Sequence, residues 1–417
     1  MALDSRHIQL WRNREFVLLE SGRLLSTAGT ASTGIAYTLL VLALTSSPAK
    51  AGLVGFARLA PYALLALPAG VAADRWNRKS LMIGADVVRA LLLGGLALAV
   101  QLDQAGWPLI AAIAFAEGAG AVIFGVAQAG ALRAIVPRRQ LPAAVGAQRG
   151  RSAAVDLAGP PLGGALFEVG RALPFAVDSA SYAFSIASLA AIRAPFQEQQ
   201  RLGPARLRSE VAEGFRFLWR QPFIRATTFL YALGNVTIPA LLLVVVVVGR
   251  RDGFSSSAIG GLVSLFGAAL LAGALLSPLL RGRLSVRGII LLELWTALGS
   301  GLFLVWPSVW VLIAGMLPQA IVIPSTDSVV VGYRVAVIPD RLLGRVESVR
   351  SNLARLLDPL GPLAAGLLLS QTSPRATVAL FVAWSGALLV WGMTSVAIRA
   401  APSLQELDEL SSDSETL

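Results

Sequence analysis

About twelve stretches of roughly twenty mostly apolar residues follow one another along this chain, and no other feature constrains its fold as strongly. At 1.5 Å per helical residue, about 20 residues cross the ~30 Å hydrocarbon core of a bilayer. The runs are roughly Phe16 to Leu44, Ala51 to Ala72, Leu81 to Val100, Trp107 to Ile135, Val145 to Phe167, Leu173 to Ile192, Phe223 to Val248, Ala258 to Leu280, Ile289 to Val305, Val309 to Val331, Ser351 to Leu369 and Ala376 to Ile398. The run of five valines at Val244 to Val248 has strand propensity. It closes a long apolar run, however, and an isolated strand cannot span lipid, so a helix is expected. The expected fold class is an all-α integral membrane protein with about twelve transmembrane helices.

The chain carries a formal charge of +11, a balance that can signal nucleic-acid binding. Placement of the charges excludes that reading. Only 14% of residues are charged, against about 25% in a typical soluble domain. Of the 35 basic residues, 27 fall on one side of the spans and five on the other. They are spread over seven segments rather than gathered in a patch. By the positive-inside rule the basic side is cytoplasmic, and both termini are expected there. Trp107, Trp306 and Trp310 mark the outer interface, and Trp11, Trp76 and Trp219 the inner one. The polar start MALDSRHIQLWRNRE and the length of the first apolar run argue against a cleavable signal peptide. Arginine and alanine dominate over lysine, which suggests a GC-rich bacterial genome and therefore the bacterial cytoplasmic membrane.

The longest polar interruption divides the chain. Residues 1–193 form an expected N-terminal six-helix half, 194–222 a cytoplasmic central loop, 223–398 a C-terminal six-helix half, and 399–417 an acidic cytoplasmic tail. Within the loop, Val211, Phe215, Leu218 and Trp219 share a helical face, which reads as an amphipathic helix lying at the membrane surface. The two halves repeat each other at a constant offset of 202. Pro137 meets Pro339, Asp156 meets Asp358, Gly159-Pro160 meets Gly361-Pro362, and Gly164 meets Gly366. Duplicated six-span units are a signature of transporters whose halves rock about a central site.

Between spans two and three stands GVAADRWNRK, with Gly70, Asp74, Arg75, Arg78 and Lys79 in the pattern G-x-x-x-D-R-x-x-R-K. Span five carries AGPPLGG, with Gly159, Pro160, Gly163 and Gly164. With twelve spans and a long central loop, these motifs resemble the major facilitator superfamily across essentially the whole chain. The resemblance implies that the first motif gates the cytoplasmic side, with Asp74 capping span eleven near Ser348 to Ser351. It implies that the second is the motif of the superfamily's exporters, or antiporters. Asn77 stands where the loop motif usually has glycine, and Val155 where the exporter motif has its leading glycine. NREFVLLESGRLLSTAG and EVAEGFRFLWRQPFIRA further resemble the macrolide-efflux and enterobactin-exporter-like branch. On physical grounds Gly70 is expected to let span two approach a neighbour closely. Arg75, Arg78 and Lys79 are expected to pair with acids or anionic lipid. The glycines of span five should pack tightly against another helix.

Ionisable groups at membrane depth are costly and are functional candidates by default. Glu117 and Asp156 fall near the midplane, as does Asp358, the repeat mate of Asp156. These three are the candidates for proton coupling. Arg58 and Asp178 share a depth in the outer half and are expected to pair. Asp86 with Arg89, and Glu20 with Arg23, are spaced i,i+3 and read as structural pairs. Glu293 and Asp327 lie toward the cytoplasmic half. The lone His7 has no assigned role.

No G-x-x-x-x-G-K-S/T loop, His/Cys cluster or nucleophile constellation is present, so ATP hydrolysis, a metal site, a cofactor and enzyme chemistry are not expected. The chain should be a monomeric secondary active transporter, with a small-molecule substrate, protons and the lipid bilayer as its partners and no nucleic acid. A proton-coupled exporter of antibiotics or secreted natural products is the leading expectation. A siderophore-type exporter, a same-fold importer and a non-transporting scaffold or receptor are the alternatives.

Overall fold

Hydrocarbon offers a backbone N–H or C=O no water to bond, so a spanning segment must satisfy its own peptide groups. The computed structural model describes residues 10–196 and 204–401, and every regular element among them is helical. His7 and the acidic tail beyond Ala401 lie outside the described residues. Two compact units are distinguished, the first holding the chain through Pro204 with Gly253–Ser264, the second Ala205–Asp252 with Leu265–Leu417.

In the first unit the helices are α1 (Arg14–Thr45), α2 (Pro48–Leu64), α3 (Ala66–Arg75), α4 (Arg78–Gln101), α5 (Trp107–Ile135), α6 (Leu141–Val169) and α7 (Leu173–Ala191). Sequence sets their ends. Asn13 caps α1 by accepting the N–H groups of Glu15 and Phe16, and Ser47 caps α2. Prolines occupy the first turns of α2, α5, α6 and α7, where a missing N–H costs nothing. The second expected span is broken, because α2 and α3 meet at 50°. Pro68 lies four residues after Leu64, and a proline ring clashes with the carbonyl four residues before it, which accounts for the break. Asn77 has a structural reason to replace the usual glycine: its side chain accepts the Ser80 N–H at 3.1 Å and caps α4.

The second unit contains α8 (Pro204–Arg220), α9 (Pro222–Gly234), α10 (Thr237–Arg251), most of α11 (Ser256–Arg283), α12 (Val286–Thr296), α13 (Leu302–Val305), α14 (Val309–Val337), α15 (Asp340–Arg355), α16 (Leu360–Gln371) and α17 (Pro374–Thr394). The five valines sit in α10 and are helical.

Nine helical spans among the described residues are long and apolar enough to cross a membrane, or ten if α2 and α3 are one bent span. The expected spans five and six, α6 and α7, are helical but more polar. Arg149, Arg151 and Asp156 interrupt α6, and Asp178 with four serines interrupts α7. Both pack against α1, which takes Arg151 through Glu20 and Asp178 through Thr33, while Arg149 and Asp156 are exposed. The count is consistent with twelve spans.

The central-loop helix departs from expectation. Leu218 is fully buried, and Leu218 and Val211 pack against Ile338, Leu342, Val346 and Val349 of α15 and its approach. Glu210 pairs with Arg345 at 2.9 Å, and Glu213 pairs with both Arg345 and Arg341. Only Phe215 and Trp219 face outward, stacked at 5.6 Å. The helix therefore docks on protein through half of its apolar face, because α15 offers both an apolar stripe and matching arginines. The ion pairs are partly exposed, so Glu213→Ala should cost no more than about 1 kcal/mol in unfolding of the purified protein. A much larger loss would mean that the pairs, not Leu218, hold the helix.

Candidate functional site

Four helices of the first unit, α2, α4, α5 and α7, bring five ionisable side chains into one cluster, and α1 adds hydroxyl partners. Arg89 of α4 is its hub. It donates to Glu117 Oε1 at 2.7 Å and to Thr30 Oγ1 at 3.1 Å, and reaches Asp86 Oδ1 at 3.4 Å. Its guanidinium lies over the Tyr182 ring, 4.1 Å from the centroid. Arg58 of α2 approaches Glu117 from the other side, with Nε 3.6 Å from Oε2, and donates to the Thr30 carbonyl at 3.0 Å. Tyr182 donates to Glu117 at 3.3 Å, and Ser185 to Asp86 at 2.6 Å. Asp178 of α7 accepts from Thr33 at 2.9 Å and Ser181 at 3.1 Å. Arg89, Asp86, Glu117 and Asp178 are all at most 2% exposed. Taking such ions out of water costs several kcal/mol each unless partners compensate, so the network of bonds is a condition of their presence.

Small residues make room for these side chains. A Cβ at Gly120 of α5 would lie 2.7 Å from Cγ of Arg89, and one at Gly29 of α1 would collide with the Asp178 carboxylate. The hydroxyl partners Thr30, Thr33, Tyr182 and Ser185 escaped the reading of charges. Their signal was in the sequence nonetheless, as the hydroxyl-rich runs STAGTAST in the first span and DSASYAFSIAS in the sixth.

Two expected pairs are different in the structure. Arg58 pairs with Glu117, not with Asp178, which faces the hydroxyls of α1 and its own helix. Glu20 pairs with Arg151 of α6 and accepts from Gln148 at 3.1 Å, while Arg23 lies over the Phe124 ring at 4.7 Å. A neighbouring helix supplied a better-aimed cation than the same helix did. Asp86 and Arg89 do pair, but Arg89 makes its shorter bond to Glu117.

Asp156 is exposed on α6 and has no ionic or hydrogen-bonding partner among the described residues. Asp358 lies in the turn between α15 and α16, with one carboxylate oxygen buried and unbonded. The two repeat mates thus sit in different local structures, one in a continuous helix and one at a break.

The loop motif spans the end of α3 and the start of α4, and the side chain of Asp74 lies outside the described groups. Arg75 is exposed. Arg78 donates to the carbonyls of Ala73 at 3.2 Å and Phe196 at 3.4 Å. Lys79 donates to Ile192 at 2.7 Å and Ala190 at 3.2 Å. The expected acidic or lipid partners are replaced, for Lys79, by carbonyls at the end of α7, which lack intrahelical donors and sit at the negative end of the helix dipole. A Cβ at Gly70 would meet nothing within 4 Å, so Gly70 does not make the expected close approach. That contact belongs to Gly118, which abuts the Arg58 backbone.

The span-five glycines do abut other helices. A Cβ at Gly159 would strike Ala31, and one at Gly163 the Ser32 carbonyl, both on α1. Gly164 abuts the Ser256 carbonyl at the start of α11, and Gly260 faces the Pro160 carbonyl. Ser264 donates to the Leu157 carbonyl at 2.6 Å. α6 therefore approaches α1 and the start of α11 backbone to backbone.

The profile of a family described as transmembrane secretion effector matches residues 9–414. A multidrug efflux pump called Tap from Mycobacterium tuberculosis (strain ATCC 25618 / H37Rv) is 27% identical over 402 residues, covering 92% of this chain and 93% of that protein. Among solved structures, a bacterial homologue of the iron transporter ferroportin, in an inward-facing state, superposes with a TM-score of 0.72 at 17% identity, covering 92% of this chain and 98% of that one. A D-xylose-proton symporter superposes with a TM-score of 0.71 at 13% identity, covering 95% and 100%. At these identities the structural likeness speaks for the fold.

Proposed function

This chain belongs to the transmembrane secretion effector family of the major facilitator superfamily, and on that premise we propose that it is a proton-coupled exporter, an antiporter, of small amphipathic organic compounds. It works by alternating access as a monomer in the bacterial cytoplasmic membrane, with both termini inside. The observation that carries the reading is the buried cluster of Arg58, Arg89, Asp86, Glu117 and Asp178, since ion pairs at membrane depth are retained where they serve a transport pathway or a proton relay. The similarity to a multidrug efflux pump supports organic cargo such as antibiotics, and the span-five motif supports outward transport. In this proposal the motif of Gly70, Asp74, Arg75, Arg78 and Lys79 works at the cytoplasmic gate, and the six-helix halves 1–193 and 223–398 are the elements that rock.

Expression in a drug-sensitive bacterium should raise resistance to several lipophilic antibiotics, and a protonophore should abolish the gain. In proteoliposomes an imposed pH gradient should drive ethidium movement with counterflow of protons. Ethidium movement in the same direction as the protons would identify an importer of the same fold. Absence of both resistance and flux would favour a scaffold.

A further inference from the structure

The buried cluster holds two guanidinium groups and three carboxyl groups, so one acid has no cation of its own. Both oxygens of Glu117 face arginines, Oε1 at 2.7 Å from Arg89 and Oε2 at 3.6 Å from Arg58. Asp86 has Arg89 at 3.4 Å. Asp178, completely buried, makes no ion pair among the described residues and is held only by the hydroxyls of Thr33 and Ser181. We propose that Asp178 is the group that takes up and releases the coupled proton, while Glu117 and Asp86 stay fixed as partners of the arginines; the inference rests on the proton-coupled reading above.

The chemistry of the partners separates the three acids. Glu117 and Asp86 each have one hydroxyl neighbour, Tyr182 and Ser185, but both also face arginines; a guanidinium has only donors, so a proton placed there would set an O–H against N–H groups and break an ion pair. A hydroxyl both donates and accepts. Thr33 Oγ1 lies within reach of the Gly29 carbonyl at 3.3 Å, the Thr30 carbonyl at 3.1 Å and Asp178 Oδ2 at 2.9 Å. It can donate to the charged carboxylate, or turn its O–H to the backbone and accept from the protonated acid. Ser181 has the same choice, between the Asp178 carboxylate and the Asp178 carbonyl at 2.7 Å. Asp178 is therefore fully bonded in both states, with no movement of an arginine.

The charged and titratable groups around Asp178 are accounted for on every helix packed against it. They are Tyr37 on α1, Arg58 on α2, Asp86 and Arg89 on α4, Glu117 on α5 and Tyr182 on its own helix. Arg23, two turns before Thr30 on α1, lies over Phe124 and makes no ion pair among the described residues. On α6, Arg151 is taken by Glu20. The proton also has a mechanical lever. Asp178 joins α7 to α1 through Thr33 and lies against the α1 backbone at Gly29, so a change of its charge alters the bond between those two helices.

The test needs no cargo. The purified full-length protein in lipid nanodiscs should show, in pH-jump infrared difference spectra, a protonated-carboxyl C=O band that grows as pH falls. Asp178→Asn should lose that band. Asp178→Glu should keep it at a shifted position, which also covers the case in which the asparagine variant fails to fold. Asp156→Asn should leave the band unchanged. A band that persists in Asp178→Asn, that vanishes in Asp156→Asn, or that is missing from the wild type overturns the assignment. A proteoliposome arm with ethidium and an internal pH dye separates the two levels of the proposal. If the wild type moves no protons with ethidium, the coupled-exporter reading falls. If the wild type does and Asp178→Asn moves them equally fast, only the Asp178 assignment falls.

Discussion

Glu117→Ala should destabilise the purified protein by about 3–5 kcal/mol, the cost of stripping a buried ion pair of one partner. The reason is specific to its place. Glu117 is 1% exposed and neutralises Arg89 and Arg58 together, so its loss leaves Arg58 without an ion pair and Arg89 with Asp86 alone at 3.4 Å. Glu117→Leu combined with Arg89→Met should not recover the loss, because Asp86 and Arg58 then lose their ion pairs in turn. Asp178→Asn removes no cation's partner and keeps a side chain able to bond Thr33 and Ser181, so its cost should be far smaller. Thermal or chemical unfolding in detergent measures all three. A Glu117→Ala protein as stable as the wild type would mean that the arginines are already compensated by water or by other groups.

Gly163→Val should sharply lower the amount of folded protein in the membrane and, with it, the proposed export. Any Cβ at this position collides with the carbonyl oxygen of Ser32, which belongs to backbone and cannot rotate away. Overpacking a tight contact costs typically 1–3 kcal/mol and occasionally more, and here α1 and α6 must separate along a helix whose neighbours hold the charge cluster. Gly146→Val, on the same α6 but in open space, is the control and should express as the wild type does. Membrane protein levels and ethidium export in whole cells provide the readout. Equal behaviour of the two variants would show that the backbone contact is dispensable and that the glycines of AGPPLGG act in another way.

What the sequence by itself determined was everything that depends on position along a helix. Apolar runs of about 20 residues located the spans, because hydrocarbon thickness sets their length. The arginines sorted to one side of those spans, the repeat of 202 residues paired Asp156 with Asp358, and the loop and span-five motifs pointed to the superfamily. Depth along the spans singled out Glu117, Asp86, Arg89, Arg58 and Asp178 as candidates, and the structure gathers them in one cluster.

Only the tertiary structure decided which of them meet. Pairing depends on the direction in which each side chain leaves its helix, and a helix surrounded by lipid and other helices is apolar all round, so hydropathy gives no sense of rotation. Arg58 and Asp178 share a depth but not a bond, and Glu117 takes both arginines where α5 carries glycine at 118, against the Arg58 backbone, and at 120, against the Arg89 side chain. Glu20 found Arg151 on α6 rather than Arg23 one turn away. The central-loop helix shows the same limit, since its apolar stripe was legible but its docking on α15 through Val211 and Leu218 was not. An apolar face records only that something covers it. Whether lipid or protein does so is decided by the packing of helices distant in the chain.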